Sequence, residues 1–137
     1  MTLQVVNRQR DAAISLTWLT RLARRAARHL KIRGQGVLVV AFIDQRTMRA
    51  LNRRFLQRAG LTDVLSFRYD REPVVGEVLV SPAFARRYTT AHGLAYRDEL
   101  ARYVIHGLLH WVGHHDRTQR QRRRMRELED QLLLECA

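Results

Sequence analysis

The chain contains almost no cysteine and no long apolar run. Its one cysteine, Cys136, is the second-last of 137 residues, so no disulfide can form within the chain. A single cysteine is more typical of a protein in a reducing compartment than of a secreted protein. No apolar stretch approaches the roughly 20 residues that a bilayer crossing needs, and the first residues lack the apolar core of a signal peptide. These absences predict a cytoplasmic protein without a membrane partner.

Acidic residues and lysine are also scarce. Asp and Glu total 13 against 25 Lys and Arg, which gives a formal net charge of +12, and Lys31 is the only lysine. Arginine presents a planar group that pairs with phosphate through two hydrogen bonds and stacks on bases. The excess favours an anionic partner such as nucleic acid, although arginines on solvated helix faces are the plain alternative.

The segment from His106 to Asp116 carries the most specific chemistry. It contains two histidines four residues apart, followed by a His-His-Asp cluster. Histidines at i and i+4 lie on the same face of a helix. Gly113 can end that helix in the left-handed conformation, so that residues 114–116 turn back toward the histidines. Three protein ligands with an open position are typical of a catalytic zinc site. Two core histidines bonded to backbone carbonyls are the alternative interpretation.

The spacing of His106, His110 and Asp116 is similar to that of metzincin-type metallohydrolases. A zinc peptidase of that type has glutamate after its first histidine, where it acts as general base, whereas this chain has Gly107. The difference predicts another proton acceptor, or a substrate bond other than a peptide.

Together with its other motifs, the chain resembles the YbeY endoribonucleases, whose signature is H-G-x-L-H-x-x-G-x-D-H. Leu51-Asn52 with Phe55, the run Thr62-Asp63-Val64-Leu65-Ser66-Phe67, and the run from Gly76 to Ser81 are similar to further blocks of that family, in the same order. The likeness covers roughly residue 37 to the C-terminus. It implies a zinc-dependent endoribonuclease of the single-strand type that matures small-subunit ribosomal RNA ends and serves ribosome quality control. The implied partners are RNA and the ribosome or its small subunit, and not DNA.

One departure from the family pattern concerns the third metal ligand. The family's third histidine falls on Asp116, and its aspartate falls on His115. The resemblance therefore implies zinc ligands His106, His110 and Asp116, with His115 as the second candidate for the third position. A carboxylate oxygen binds zinc at about 2.0–2.2 Å, close to the histidine distance. Zinc, one ion per chain, is the expected metal, while the carboxylate makes manganese or nickel conceivable.

A second departure from the family pattern concerns a basic residue. The family's usual arginine after the aromatic residue falls on Leu56, and Arg58, Arg54 or Arg53 is expected to replace it. Arg58 is the candidate for offsetting charge in the transition state. His114 or His115 is the expected proton acceptor, because histidine titrates near neutral pH. The residues expected to contact RNA are Arg53, Arg54, Arg120, Arg123 and Arg124.

The hydrophobic pattern alternates between strands and helices, without repeats or a linker, and predicts one domain over residues 1–137. Strands are predicted over 3–7, 37–43, 64–69 and 77–81, and helices over 11–31, after Asp44, from Ser81 to 91, over 96–112 and over 118–135. The expected fold class is α/β (α+β), a small mixed sheet flanked by helices. The metal site is expected on a C-terminal helix and the turn after it.

Three functions remain open from the sequence. The leading one is the metal-dependent endoribonuclease. The second is a non-catalytic, metal-stabilised RNA-binding factor for ribosome assembly. The third, a zinc metallopeptidase, is opposed by Gly107 and by the net charge of +12. A monomer is expected in each case.

Overall fold

The computed structural model describes residues 1–56 and 64–137. In these residues the strands are β1 (Thr2–Arg8), β2 (Val37–Ile43), β3 (Val64–Arg68) and β4 (Val74–Val80). The helices are α1 (Leu16–His29), α2 (Gln45–Leu51), α3 (Pro82–His92), α4 (Tyr96–Trp111) and α5 (Gln119–Cys136). A π-helical segment, Asn52–Leu56, continues α2.

The four strands form one mixed sheet in the order β1-β2-β4-β3. β2 pairs in parallel with β1 and with β4, whereas β3 pairs antiparallel with β4. The apolar run of β2 is buried from Leu38 to Ile43, as expected for a strand covered on both faces. β4 begins at Val74 and not at residue 77 as predicted, because its first residues already pair with β2. The predicted α/β fold with a small mixed sheet is confirmed.

Helices cover both faces of this sheet. The larger core lies on the face covered by α1, α4 and α5, where Leu22, Val40 and Leu108 are buried together. The smaller core lies on the opposite face, where Met48 of α2 packs with Ala41 and Leu79. α4 lies against β3 and β4, so the helix that carries both motif histidines packs directly on the sheet.

Side-chain caps determine where several helices begin. Asp44 accepts a hydrogen bond from the Thr47 amide at 2.7 Å, and this bond holds the pKa of Asp44 below its ordinary value. Ser81 caps α3 in the same way, as its position before Pro82 predicts. The prediction that α1 starts at Asp11 is wrong, because the chain becomes helical only after its cap at Ser15.

Within residues 1–56 and 64–137, no helix combines the length and the apolar character that crossing a bilayer requires.

Candidate metal centre

The end of α4 turns the chain back toward the two motif histidines. Gly113 has φ +109°, a left-handed conformation that glycine adopts at little cost. Its amide donates to the His110 carbonyl at 3.0 Å, and the His114 amide donates to the Leu109 carbonyl at 3.0 Å. These two bonds form a Schellman motif. The helix end predicted at Gly113 is confirmed, and it brings Asp116 back over α4.

Three side chains converge at this turn, and we call them the metal triad: His106, His110 and Asp116. Their nearest ligand atoms all lie within 4.8 Å of one another. Asp116 Oδ2 is 3.1 Å from His110 Nε2 and 3.6 Å from His106 Nε2. Tetrahedral ligands about 2.0–2.2 Å from a zinc ion lie about 3.4 Å apart. The donor types and their spacing therefore fit a small divalent cation.

A buried carboxylate holds the first histidine in place. Glu129 of α5 is only 4% exposed, and its Oε2 lies 2.6 Å from His106 Nδ1. Because a carboxylate only accepts hydrogen bonds, Nδ1 is the donor in this contact. The other ring nitrogen, Nε2, faces Asp116. Metal-bound histidines are commonly oriented by such a carboxylate. The structure thus adds to the site a residue that the sequence reasoning missed.

Arg102 of α4 neutralises this buried carboxylate. Its guanidinium donates to Glu129 at 2.9 Å and to Asp130 at 2.7 Å. Burial by itself lowers the pKa of Arg102, but the hydrogen bonds to Asp130 and Glu129 raise it. The resulting pKa of Arg102 lies above its ordinary value. Arg102 and Glu129 therefore form a charged pair that links α4 to α5 behind His106.

The helical phase of α5 gives a signal for Glu129. The buried positions of this helix are Met125, Glu129, Leu132 and Cys136, which follow the i, i+4, i+7 spacing of an apolar stripe. A single acidic residue on an otherwise apolar stripe is a candidate for a buried, functional carboxylate. That signal was present in the sequence, between the buried Met125 and Leu132.

Gly107 explains why this centre lacks the general base of a zinc peptidase. A Cβ added at Gly107 would lie 2.3 Å from Val78 Cγ1 and 2.9 Å from Val64 Cγ1, so position 107 faces the sheet and has no room for a glutamate. On the same side, the Ser66 hydroxyl donates to the Gly107 carbonyl at 2.7 Å. Ser66 therefore has a structural role that ties β3 to α4.

The predicted proton acceptors lie on the turn beside the triad. His114 and His115 are both exposed, and neither belongs to the cluster of ligand atoms found among the described residues. Their catalytic roles stay predictions. Arg58, the third predicted catalytic residue, lies outside the described residues.

A shallow depression lies on the His110 side of the triad, and we call it the edge groove. It has a volume of about 350 Å³ and is lined by Ser66, Phe67, Arg68, His110, Trp111, Val112 and Gly113. The predicted RNA-binding residues Arg53 and Arg54 are exposed on the π-helical segment and do not line this groove. Arg54 lies over the Phe55 ring at 5.3 Å, and that ring contacts Phe67 edge-on at 5.1 Å.

Arg68 is a cation in this groove that the sequence reasoning missed. Its guanidinium lies 4.2 Å from the centre of the Trp111 ring and donates to the Trp111 carbonyl. Both partners are neutral, and none of the ion pairs found in residues 1–56 and 64–137 involves Arg68, which lies beside His110 in this groove. In the sequence, Arg68 looks like an ordinary exposed residue at the end of a strand, so only the packing of β3 on α4 shows its position.

A second depression, the triad cavity, lies on the His106 side. It has a volume of about 410 Å³, and its walls include His106, Asp116, Arg122 and Arg126. The other arginines predicted to bind RNA on α5 are exposed but do not line it: Arg120, Arg123 and Arg124. Arg124 instead lies 3.4 Å from Glu127. The RNA contacts of these three residues stay predictions.

Comparison with known proteins identifies relatives of this chain. A family model described as endoribonuclease YbeY matches residues 4–137. A protein of Carboxydothermus hydrogenoformans named endoribonuclease YbeY is 31% identical over 95% of this chain and 94% of its own length. One of the same name from Persephonella marina is 30% identical over 89% of this chain and 84% of its own length.

Two further comparisons concern chain length and fold. A Myxococcus xanthus protein named endoribonuclease YbeY is 37% identical over 97% of this chain, and the chain spans about half of it, 47%. A solution structure of a Thermotoga maritima protein matches with a TM-score of 0.68 and 23% identity, over 98% of this chain and 89% of that one, which supports the fold. The match to the family model over nearly the whole chain, together with these relatives, shows that the chain belongs to the endoribonuclease YbeY family.

Proposed function

We propose that this chain is a metal-dependent endoribonuclease that cleaves RNA phosphodiester bonds at the metal triad. The observation that carries the proposal is the convergence of His106, His110 and Asp116 within 4.8 Å, in a chain with a net charge of +12. The name that the relatives share, endoribonuclease, supports RNA as the substrate.

The metal that we propose is zinc, one ion per chain, held by the Nε2 atoms of His106 and His110 and by the carboxylate of Asp116. Bound there, it would supply a Lewis acid that offsets charge on a phosphate oxygen and makes water more acidic. Glu129 keeps the Nε2 lone pair of His106 available for this purpose. The short distance from Asp116 to both imidazoles supports it as third ligand over His115.

The remaining residues suit the binding of a single RNA strand across the triad. Among the described strands β3 lies at the edge of the sheet, and three of its residues line the edge groove: Ser66, Phe67 and Arg68. Arg68 in that groove, with Arg58 as the other candidate, would offset the charge that develops on the phosphate. His114 or His115 would accept the proton from the attacking group, which is either water or the 2′-hydroxyl of the RNA.

The substrate that we propose is ribosomal RNA, with small-subunit ends as the processed sites and the cytoplasm as the compartment. Family membership and the arginine-rich composition support this setting. The basic residues supply affinity for the RNA backbone independent of its sequence, so the choice of cleavage site depends on the groove and cavity beside the triad.

The test is cleavage of a ribosomal RNA fragment by the wild-type chain and by His110→Ala, purified identically so that contaminating nuclease appears equally in both. We expect cleavage by the wild type alone, with RNA binding nearly unchanged in the variant. His29→Ala, at an exposed histidine on α1, is the matched control and should cleave normally.

Equal cleavage by the wild type and His110→Ala would overturn the proposal. If neither cleaves RNA but removal of metal by a chelator lowers the melting temperature of the wild type, the metal has a structural role. That result would favour the non-catalytic assembly factor.

A further inference from the structure

The triad cavity is lined by several residues in addition to the members of the metal triad. It extends from His106 and Asp116 toward α3, where Phe84 and Tyr88 contribute to its wall, and its volume is about 410 Å³. This lies within the usual range of small-molecule pockets, roughly 300–1,000 Å³. The cavity is therefore large enough for a flat organic ring system that enters beside the metal centre.

Aromatic and soft apolar side chains form one wall of the cavity. Tyr88 is 39% exposed, and the His92 ring stacks on it with centroids 4.2 Å apart. His92 does not line the cavity, so Tyr88 presents its edge or its other face to the interior. Phe84, packed at 6.2 Å against Tyr103, and Met125 continue this wall. Such a wall suits a π system.

Carboxylates outnumber cations behind this wall, because Arg102 is the shared partner of Glu99, Glu129 and Asp130. Glu99 and Glu129 both line the cavity, and Arg102 lies between them, 3.9 Å from Glu99 and 2.9 Å from Glu129. A phosphate placed there would be repelled by these carboxylates, because their shared cation, Arg102, is already bonded to them. The interior is thus suited to a neutral group that carries hydrogen-bond donors, such as the amino or imino groups of a base.

Uncompensated positive charge lies on the α5 side of the cavity. The guanidinium of Arg122 donates to the backbone carbonyls of Asp116 and Arg117 at 3.3 and 3.0 Å, and Arg126 is exposed. Among the ion pairs found in residues 1–56 and 64–137, neither arginine has a carboxylate partner. These two cations can hold a phosphate, while the carboxylates of the interior can accept hydrogen bonds from the base attached to it.

We propose that the triad cavity binds one nucleobase of single-stranded RNA, on the nucleotide next to the phosphate at the metal triad. The inference rests on the proposed endoribonuclease function and adds to it a site that contributes to the choice of cleavage position. The base stacks against Tyr88, and Arg122 and Arg126 contact the adjoining phosphate. Stacking of a base on an aromatic side chain tolerates any base, so the cavity favours an unpaired nucleotide over a paired one.

The experiment uses one RNA in a series of versions, each with a single abasic nucleotide placed at a different position around the cleaved bond. Single-turnover cleavage by the wild type should be slowed about tenfold at one fixed position, since stacking of this kind changes affinity by about that factor. Tyr88→Leu should slow cleavage of the intact RNA by a similar factor. This variant should then be insensitive to the abasic nucleotide at that position.

Two matched variants separate stacking from folding. Tyr88→Phe keeps the ring and should behave as the wild type. Tyr69→Leu changes a tyrosine of nearly the same exposure, 38%, which does not line the cavity, and should keep the sensitivity to the abasic position. If no position is sensitive, or if Tyr88→Leu keeps the wild-type sensitivity, the inference is wrong even though cleavage by the family chemistry stands.

A binding measurement tests the cavity separately from catalysis. Metal-depleted protein is titrated with RNA that carries 2-aminopurine at each position in turn, and stacking is detected as loss of its fluorescence. Loss at one position in the wild type but not in Tyr88→Leu supports the cavity even if no RNA is cut. Equal fluorescence in both proteins at every position overturns it.

Discussion

The contact between His106 and Glu129 is the most consequential one at the scale of single residues. Glu129 accepts from His106 and from Arg102 at once. Glu129→Gln should weaken zinc binding roughly 10- to 100-fold, the usual effect of losing a group that orients a ligand. Competition against a coloured chelator measures this affinity.

Asp130→Asn provides the matched control for this change. Asp130 also accepts from Arg102, at 2.7 Å, whereas the carboxylate that accepts from His106 Nδ1 is that of Glu129. The control should bind zinc as the wild type does. Equal losses in both variants would indicate that Arg102, and not the orientation of His106, determines affinity.

The identity of the third ligand leads to a second residue-scale prediction. Asp116→Ala should lose more zinc affinity than the roughly 100-fold limit for a supporting group, because it removes a ligand. His115→Ala should bind normally, since His115 lies outside the cluster. Asp116→His should retain binding, because imidazole is also a zinc ligand. Calorimetric titration with zinc distinguishes the three, and a loss confined to His115→Ala would reverse the assignment.

The sequence predicted the triad but not the groups around it, for a physical reason. His106, His110 and Gly113 are related by the geometry of one helix and its end, which short-range spacing specifies. Glu129 and Arg68 reach the same centre from α5 and β3, so their placement depends on how separate elements pack. Of these two residues, only Glu129 could have been predicted from the sequence, because it is an acidic residue on an apolar stripe.

At the scale of elements, the close packing of α4 on the sheet positions both histidines. Gly107→Ala should reduce the free energy of unfolding by up to about 2 kcal/mol, since overpacking typically costs about 1–3 kcal/mol and the gain in helix propensity returns about 1 kcal/mol. The added Cβ would meet Val78 Cγ1 at 2.3 Å. Denaturant unfolding measures the change.

Shortening Val78 tests whether its contact with the added Cβ causes this loss of stability. Val78→Ala alone should also destabilise the protein, because Val78 is fully buried. In the double variant the alanine at 107 occupies part of the vacated space, so the combined loss should be smaller than the sum of the two. Additive losses would mean that the contact does not limit the approach of α4.

The elements themselves were largely predictable, because strong periodicity and caps mark them. β2 matches its predicted range, and Asp44, Ser81 and Thr118 cap the helices that follow them. The predicted start of α1 was wrong because the apolar residues before Ser15 extend the helical periodicity of the sequence, although they do not form helix. There the Gln9 side chain bonds both the amide and the carbonyl of Ala12, a local alternative that the periodicity does not show.

At the scale of the whole molecule, the distribution of charge matters more than its total. Arginines are exposed both on α5, beside the triad, and on α1, whose arginines line neither the triad cavity nor the edge groove. If net charge alone attracts RNA, both groups contribute equally. If the strand crosses the triad, the α5 group contributes more.

Two triple variants that remove the same amount of charge decide between these possibilities. The α5 variant replaces Arg120, Arg123 and Arg124 with alanine, and the α1 variant replaces Arg21, Arg24 and Arg28. For single-stranded RNA, each phosphate that the protein no longer neutralises reduces the slope of log affinity against log salt by about 0.7. We expect the α5 variant to flatten this slope by up to about 2 and the α1 variant to leave it near the wild-type value. Equal slopes in the two variants would show that RNA is held by the overall charge, without a fixed path across the metal triad.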